Sequence, residues 1–264
     1  MRITTCSHRP ILVPCRLRKP DYQIDPYIGC AHCCYYCYAL NQAETDWTQA
    51  IQIYKDIYCQ LRGELEKIKP QKIYLGYYTD PYQPCEVEYR QTRQVLELLL
   101  KKGFSASILT KSDLFLRDVD LLRDMEDASI SVSVAFTDNR IREKFEANTN
   151  DTEVRVEALR KLKEAGVKTS GLICPVIPYL TDIKGLINDL ASCTETIWIY
   201  GLRIDERSDR NWQNLSIILK KYFPDLSEQI ENIIFTKDHQ FWAQLREELR
   251  DLKENRQLDL RVHL

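Results

Sequence analysis

A chain of 264 residues, 44% of them hydrophobic, is long enough to enclose one large core, and no apolar run reaches the roughly 18 residues of a membrane helix. Its 37 basic and 39 acidic residues leave a net charge of −2, unlike the basic balance of a dedicated DNA-binding domain. Ten cysteines would mean a disulfide scaffold in a short secreted chain. Here the length, their clustering and the lack of a signal-peptide apolar stretch among Arg2, Arg9, Arg16, Arg18 and Lys19 point to a reducing, cytoplasmic setting.

In chain order, a strand is expected near 22–28, directly before the cysteines, and a long helix over 41–69. There Trp47, Ile51, Tyr54, Tyr58, Leu61, Leu65 and Ile68 recur at steps of three and four. Pro70 stops it. Strand 72–78, a Leu-rich helix 86–102 ended by Gly103, strand 105–109 and helix 114–125 follow. The run SISVSVAF over 129–136 alternates as a strand does. Helix 153–165 stops at Gly166, and strand 167–174, helix 181–191 and strand 196–200 complete about six β-α units. A closed barrel needs eight, so an incomplete, curved barrel is expected. After Gly201 two helices, 212–223 (ended by Pro224) and 237–255, read as a cap. The fold class is therefore α/β: a partial (β/α)6 barrel over 1–200 with its N-terminal arm, and a short helical C-terminal extension over 201–264.

The chemistry is announced at Cys30-Ala-His32-Cys33-Cys34-Tyr-Tyr36-Cys37. Read as Cys30, Cys34 and Cys37, the spacing C-x3-C-x2-C offers three thiolates to the four irons of a [4Fe–4S] cluster. One iron then stays open to a small molecule, whereas electron-transfer clusters take four thiolates. Two other readings stand on spacing alone. Structural zinc would need a second pair some 12–20 residues away, and Cys34-Tyr-Tyr-Cys37 has the C-x-x-C form of a redox pair. Cys59, Cys174 and Cys193 sit among apolar residues and read as small core hydrophobes, while Cys6, Cys15 and Cys85 lie in loop-like sequence.

The run from Asp25-Pro-Tyr-Ile-Gly-Cys30 through Cys37-Tyr38 resembles the cluster loop of radical SAM enzymes, in particular the spore photoproduct lyase-like branch. The resemblance continues through Gly76-Tyr-Tyr-Thr-Asp80-Pro-Tyr-Gln-Pro84, Leu109-Thr-Lys-Ser112, Leu116-Arg-Asp118, Ser131-Val-Ser-Val-Ala135 and Pro175-Val-Ile-Pro178, covering roughly 22–200. It implies a cluster on Cys30, Cys34 and Cys37, with S-adenosylmethionine chelated at the open iron and cleaved to a 5′-deoxyadenosyl radical. Thr79 and Asp80 match the positions that bind the methionine amino group, Lys111 a cation for its carboxylate, and Ser133 a nucleoside contact. Tyr36 is placed beside the adenine, His32 over the cluster, and Cys33 falls where relatives often have Gly.

The branch's name-giving lyase repairs a thymine dimer with a hydrogen-donating cysteine, whose position by offset from Asp80 is Tyr77 here. Tyr36 and Tyr38 retain the flanking tyrosines, so Tyr77, Tyr36 and Tyr38 are the candidate catalytic side chains. Tyr78, Tyr200, Arg203 and Asp205 are expected at strand ends facing substrate. Small relatives act on ribosomally made peptides, with a separate leader-binding protein and an external one-electron reductant. A peptide substrate is the expectation, DNA repair the first alternative, and a noncatalytic metal protein the second.

Overall fold

In the computed structural model, which describes residues 1–6 and 9–264, the chain opens with β1 (Arg2–Cys6), β2 (Leu12–Pro14), β3 (Tyr22–Ile24) and β4 (Tyr27–Ile28). Beyond the cysteines come β5 (Ala50–Tyr54), α1 (Ile57–Leu65), β6 (Lys72–Leu75), α2 (Glu86–Tyr89), α3 (Gln91–Lys101) and β7 (Ser105–Thr110). The rhythm continues with α4 (Val119–Asp124), β8 (Ser129–Val134), α5 (Asn139–Phe145), α6 (Thr152–Glu164), β9 (Lys168–Val176), α7 (Ile183–Ala191) and β10 (Thr196–Gly201). Last are α8 (Arg210–Tyr222), α9 (Pro224–Phe235), α10 (Gln240–Arg256) and β11 (Leu260–His263).

The main sheet has the order β11-β10-β9-β8-β7-β6-β3-β2, parallel except for β2, and its two edge strands do not pair with each other. It is an open barrel, as expected. Strand alternation decides which face is covered. Ile73, Leu75, Ile108, Ile130, Val132, Ile173, Ile197 and Ile199 are buried with helix residues such as Leu96, Leu99, Leu159, Leu186 and Leu190 in one core. The alternate residues face the concave side and stay half-buried, among them Tyr74, Ser107, Leu109, Ser131, Leu172 and Trp198. Among the described residues no helix is long and apolar enough to cross a membrane.

The expected helix over 41–69 is corrected. Only Ile57–Leu65 is α-helical, begun by Asp56, whose side chain accepts the Cys59 N–H at 3.0 Å. Residues Ala50–Tyr54 form β5, which pairs in parallel with β1 and antiparallel with β4 in a separate three-stranded sheet. Ile51 and Tyr54 fit a helical step of three, but pairing with a distant strand, β1, satisfies more backbone groups than an isolated turn. The helix over 86–102 breaks at Arg90, which adopts φ 50°. Buried Glu86 bridges the break, its carboxylate accepting the N–H groups of Thr92 (2.9 Å) and Arg93 (3.2 Å) in the first turn of α3.

The C-terminal extension also departs from expectation. Pro224 does not merely end α8; it is the first residue of α9, where its missing N–H costs nothing. The tail then returns to the sheet as β11, in parallel register with β10 from Ile197↔Leu260 to Tyr200↔His263. Cys193 is buried as a core hydrophobe, whereas Cys59 is exposed, Cys174 is only partly covered, and Cys6 lies in β1 rather than a loop.

The end of β6 needs a glycine. Gly76 has φ +100°, and a Cβ there would stand 2.4 Å from the Leu109 carbonyl oxygen on the neighbouring strand. Gly76→Ala is expected to lower stability by about 2 kcal/mol or more through strain and overlap. An unchanged urea midpoint would contradict this.

Candidate active site

The cysteine loop lies between β4 and β5 and is built as successive tight turns, with Cys33 N–H donating to the Cys30 carbonyl (3.2 Å) and Cys37 N–H to the Cys34 carbonyl (3.1 Å). Gly29 enters it at φ +90°, where a Cβ would press on Ile51 and Trp47 at 3.0 Å each. Side chains from other elements pin it. Gln83 accepts the Ala31 N–H (2.8 Å) and donates to the Gly29 carbonyl (3.0 Å), and Asn148 donates to the Ala31 carbonyl (3.0 Å).

Cys30 and Cys34 are buried and Cys37 is partly exposed. Burial pushes the Cys30 thiol well up, and the nearby Asp80, Cys34 and Cys37 push it further. Cys34 is raised by burial and then by Glu146, against the pull of Lys111. Cys37 is raised by burial, against the N–H groups of Ala39 and Leu40 and the charge of Lys111. Three mutually repelling buried thiols become thiolates only around a positive centre, which is the demand an iron–sulfur cluster meets. Among the described residues no three His, Cys, Asp or Glu side chains converge on a single ion. Cys30, Cys34 and Cys37 can each serve one corner of a cubic cluster, whereas a structural zinc site takes four protein ligands. The Cys33 thiol instead points back at the carbonyls of Cys30 (3.5 Å) and Trp47 (3.7 Å), from a residue at φ 49°.

Asp80 ties the loop to the strand ends. Its Oδ1 accepts from Tyr82 N–H (2.8 Å) and Thr110 Oγ1 (2.7 Å), and its Oδ2 from Lys111 N–H (2.7 Å). His32 Nε2 stands 3.2 Å from Oδ2, off the line of a good hydrogen bond, while its Nδ1 lies 2.7 Å from the Asn148 carbonyl. His32 thus approaches Asp80 rather than a sulfur. Burial raises the Asp80 carboxyl, but His32, Lys111 N–H and Thr110 outweigh it and hold it below the usual value. Thr79 Oγ1 donates to the Tyr27 carbonyl at 3.3 Å. Thr79, donating there, keeps its oxygen lone pairs for a methionine amino group, and Asp80 Oδ2 has a lone-pair site beyond the one that takes the Lys111 N–H.

The structure does bring Lys111, Ser133 and Tyr36 together. Lys111 Nζ donates to Ser133 Oγ at 2.9 Å and lies 5.8 Å from the Tyr36 ring centre. The Tyr36 hydroxyl is buried against Glu146, leaving its ring to face the site. Tyr38 donates its hydroxyl to the Tyr77 carbonyl, and the rings of Tyr38, Tyr77 and Tyr78 pack edge to face at 5.7 and 4.8 Å. Arg203 reaches the same group, 3.5 Å from the Tyr77 hydroxyl and 5.5 Å from the Tyr38 ring centre. Of the three candidate catalytic tyrosines, Tyr77 has the least committed hydroxyl. Tyr200 is separate, on β10, and the backbone N–H of Asp205 bonds Asp209 (2.9 Å).

Sequence reasoning missed the buried support beneath this face. Arg155 pairs with Glu146 at 2.8 Å, both fully buried, and donates to the carbonyls of Ser133 (2.9 Å) and Asn150 (2.8 Å). Charged residues on an amphipathic helix read as solvated, so no signal in α6 marks Arg155. Gln83 lies in the Gly76–Pro84 run, but its bond to Gly29 spans 54 residues and leaves no mark in the local sequence.

A cavity of about 570 Å³ lies between the N-terminal arm and the cysteine loop, lined by Arg9, Pro14, Cys15, Asp25, Trp47 and Thr79 among others. Asp25 accepts the N–H groups of Tyr78 (2.9 Å) and Thr79 (3.0 Å), yet burial outweighs these bonds and raises its carboxyl from 3.8 to about 6. Between those values the folded chain holds a proton that the unfolded chain has lost. Stability therefore falls as pH rises from about 4 to about 6, and the loss persists above. Asp25→Asn keeps an acceptor for both N–H groups and is expected to remove this slope, gaining roughly 1–2 kcal/mol above pH 6. Denaturation midpoints across pH check this; a parallel offset at every pH would refute it.

The model of the radical SAM superfamily matches residues 24–190. A protein of Methanocaldococcus jannaschii, itself without an assigned activity, is 28% identical over 223 residues, 83% of each chain. A radical SAM Nα-GlyT isomerase of Pseudomonas phage M6 is 25% identical over 175 residues, 64% of this chain and 36% of that one. Among solved structures, a cysteine-to-serine mutant of spore photoproduct lyase superposes with TM-score 0.65 at 15% identity, covering 98% of this chain and 81% of the lyase. Streptococcus suis SuiB bound to its precursor peptide SuiA gives TM-score 0.57 at 15% identity, covering 92% of this chain and 48% of that one. The chain spans 66% of a lyase chain solved with dinucleoside spore photoproduct.

Proposed function

This chain belongs to the radical SAM superfamily, and from that premise we propose that it abstracts hydrogen from a peptide substrate, cleaving or rearranging the backbone of a ribosomally made peptide. Membership in this enzyme superfamily displaces the reading of a noncatalytic metal protein. Radical SAM enzymes bind a [4Fe–4S] cluster and S-adenosylmethionine, which together supply a 5′-deoxyadenosyl radical.

In this chain Cys30, Cys34 and Cys37 would hold the cluster. Lys111 would orient the methionine carboxylate, with Thr79 and Asp80 on the amino side. Ser133 and the Tyr36 ring would position the nucleoside. Asp80 also keeps the loop, β6 and β7 in register through its contacts to Thr110 and Lys111. Tyr77 would return hydrogen to product; Arg203 lies beside its hydroxyl and Tyr38 bonds its backbone carbonyl, which supports the reading. A separate leader-binding protein and an external one-electron reductant complete the proposed system in the cytoplasm.

One observation supports peptide over nucleic acid. Cations around the cysteine loop and the C-terminal strand ends already have partners: Arg9 with Glu44 (3.5 Å), Arg207 with Glu231 (2.8 Å), Lys111 with Ser133 (2.9 Å) and Arg203 with the Tyr77 hydroxyl (3.5 Å). A phosphate backbone would find little compensation there, which agrees with the net charge of −2. The rival reading, a DNA lesion, draws on the likeness to spore photoproduct lyase. Deuterium tracing separates them. With reconstituted enzyme, S-adenosylmethionine and dithionite, deuterium should pass from a deuterated peptide pool into 5′-deoxyadenosine. Transfer only from an oligonucleotide carrying deuterated thymine dimers would sink the peptide reading.

A further inference from the structure

The concave face carries a set of rings that the proposed radical chemistry leaves unused. On β10, Ile197 and Ile199 are buried under the helices, so Trp198 and Tyr200 project from the opposite side of the sheet. On β11, Leu260 is buried and His263 alternates to the same side as those rings. The three lie nearly parallel. Trp198 and Tyr200 are 6.4 Å apart at 15°, Trp198 and His263 5.8 Å at 11°, and Tyr200 and His263 4.6 Å at 11°. Trp198 and Tyr200 are half-buried and His263 is exposed, so the stack presents open ring surface.

Register connects this stack to the candidate active site. Ser133 on β8 pairs with Leu172 on β9, and Leu172 pairs with Trp198 on β10. Trp198 therefore stands two strand spacings, about 10 Å, from the serine that accepts the Lys111 ammonium. Between the stack and the strands beyond it the concave face carries small, half-buried Ser129, Ser131 and Ser170, whose hydroxyls can bond amide groups. Aromatic rings prefer offset-stacked or edge-to-face neighbours, so a planar guest extends such a stack.

We propose that Trp198, Tyr200 and His263 form a stacking platform that receives an aromatic side chain of the peptide substrate and so aims the adjoining backbone at the radical site. The assignment rests on the peptide reading above and names the side-chain class that the site selects. A nucleobase would stack equally well, but the cation beside the stack, Arg261, is already paired with Asp259 and would leave its phosphate little compensation.

The test uses the full chain with 15N-labelled indoles, the Trp198 signal being assigned by its loss in Trp198→Phe. N-Acetyl-tyrosinamide should shift that signal saturably, N-acetyl-leucinamide should not, and thymidine monophosphate should bind more weakly than the tyrosine amide. Tyr200→Leu and, separately, His263→Leu should weaken the tyrosine amide about threefold to tenfold with unchanged circular dichroism. No shift with the tyrosine amide, an equal shift with the leucine amide, or tighter thymidylate binding would each overturn the platform. Its failure alongside deuterium transfer from peptide removes the platform alone. Failure of the peptide reading shows instead in the deuterium experiment, as transfer from the oligonucleotide.

Discussion

Iron binding and 5′-deoxyadenosine production are expected to collapse in Cys30→Ala, Cys34→Ala and Cys37→Ala, and to survive in Cys33→Ala. Each of the three buried thiols is held above its ordinary value, chiefly by burial, so each needs the cluster's charge to exist as thiolate. Removing one leaves an iron without a protein ligand, a larger loss than the about 10–100-fold effect of removing a supporting contact. The Cys33 thiol is instead hydrogen-bonded to the Cys30 and Trp47 carbonyls. Iron analysis after anaerobic reconstitution, together with 5′-deoxyadenosine formed from S-adenosylmethionine and dithionite, reads both results. If Cys33→Ala lost iron while Cys34→Ala kept it, the ligand frame would be Cys30, Cys33 and Cys37.

Arg155→Met is expected to lower folding stability by about 3–5 kcal/mol, because it leaves Glu146 buried and uncompensated. The guanidinium also serves Ser133 O (2.9 Å), Asn150 O (2.8 Å) and Thr149 Oγ1 (2.5 Å), so a lysine's single ammonium cannot replace its fork. Since Glu146 receives the Tyr36 hydroxyl and Ser133 receives Lys111, the same variant should loosen the candidate cofactor site. The double variant Glu146→Gln/Arg155→Met should be more stable than Arg155→Met alone, because no unpaired charge remains. Urea denaturation of the three proteins decides it. Equal stability of Arg155→Met and the parent would show that the pair contributes nothing.

The β-α rhythm was legible because alternation and helical spacing are local. Ile130, Val132 and Val134 in β8 and Ile197 and Ile199 in β10 alternate with Ser, Trp and Tyr, and that pattern alone predicts one covered and one open face. The failures share one cause. Ile51 and Tyr54 satisfy helical spacing as well as a place in a strand, and only the distant β1 chooses the strand. Pro224 reads as a stop for α8 and as a start for α9, and its local sequence supports both. A β11 strand of four residues after a charged helix has no partner visible in the sequence.

The sequence by itself determined the spacing of the cysteine loop proposed to hold the cluster, because spacing within eight residues is covalent geometry and survives any arrangement of the rest. It also determined the open barrel, through the count of β-α units. Only the tertiary structure decided that the Cys33 thiol faces the Cys30 and Trp47 carbonyls and that Asp80 accepts from Thr110, Tyr82 and Lys111. It also decided that a buried Arg155–Glu146 pair underlies Tyr36 and Ser133, and that Trp198, Tyr200 and His263 stack. Most of those facts depend on contacts between residues far apart in the chain, where burial and register, not neighbouring residues, set the energy.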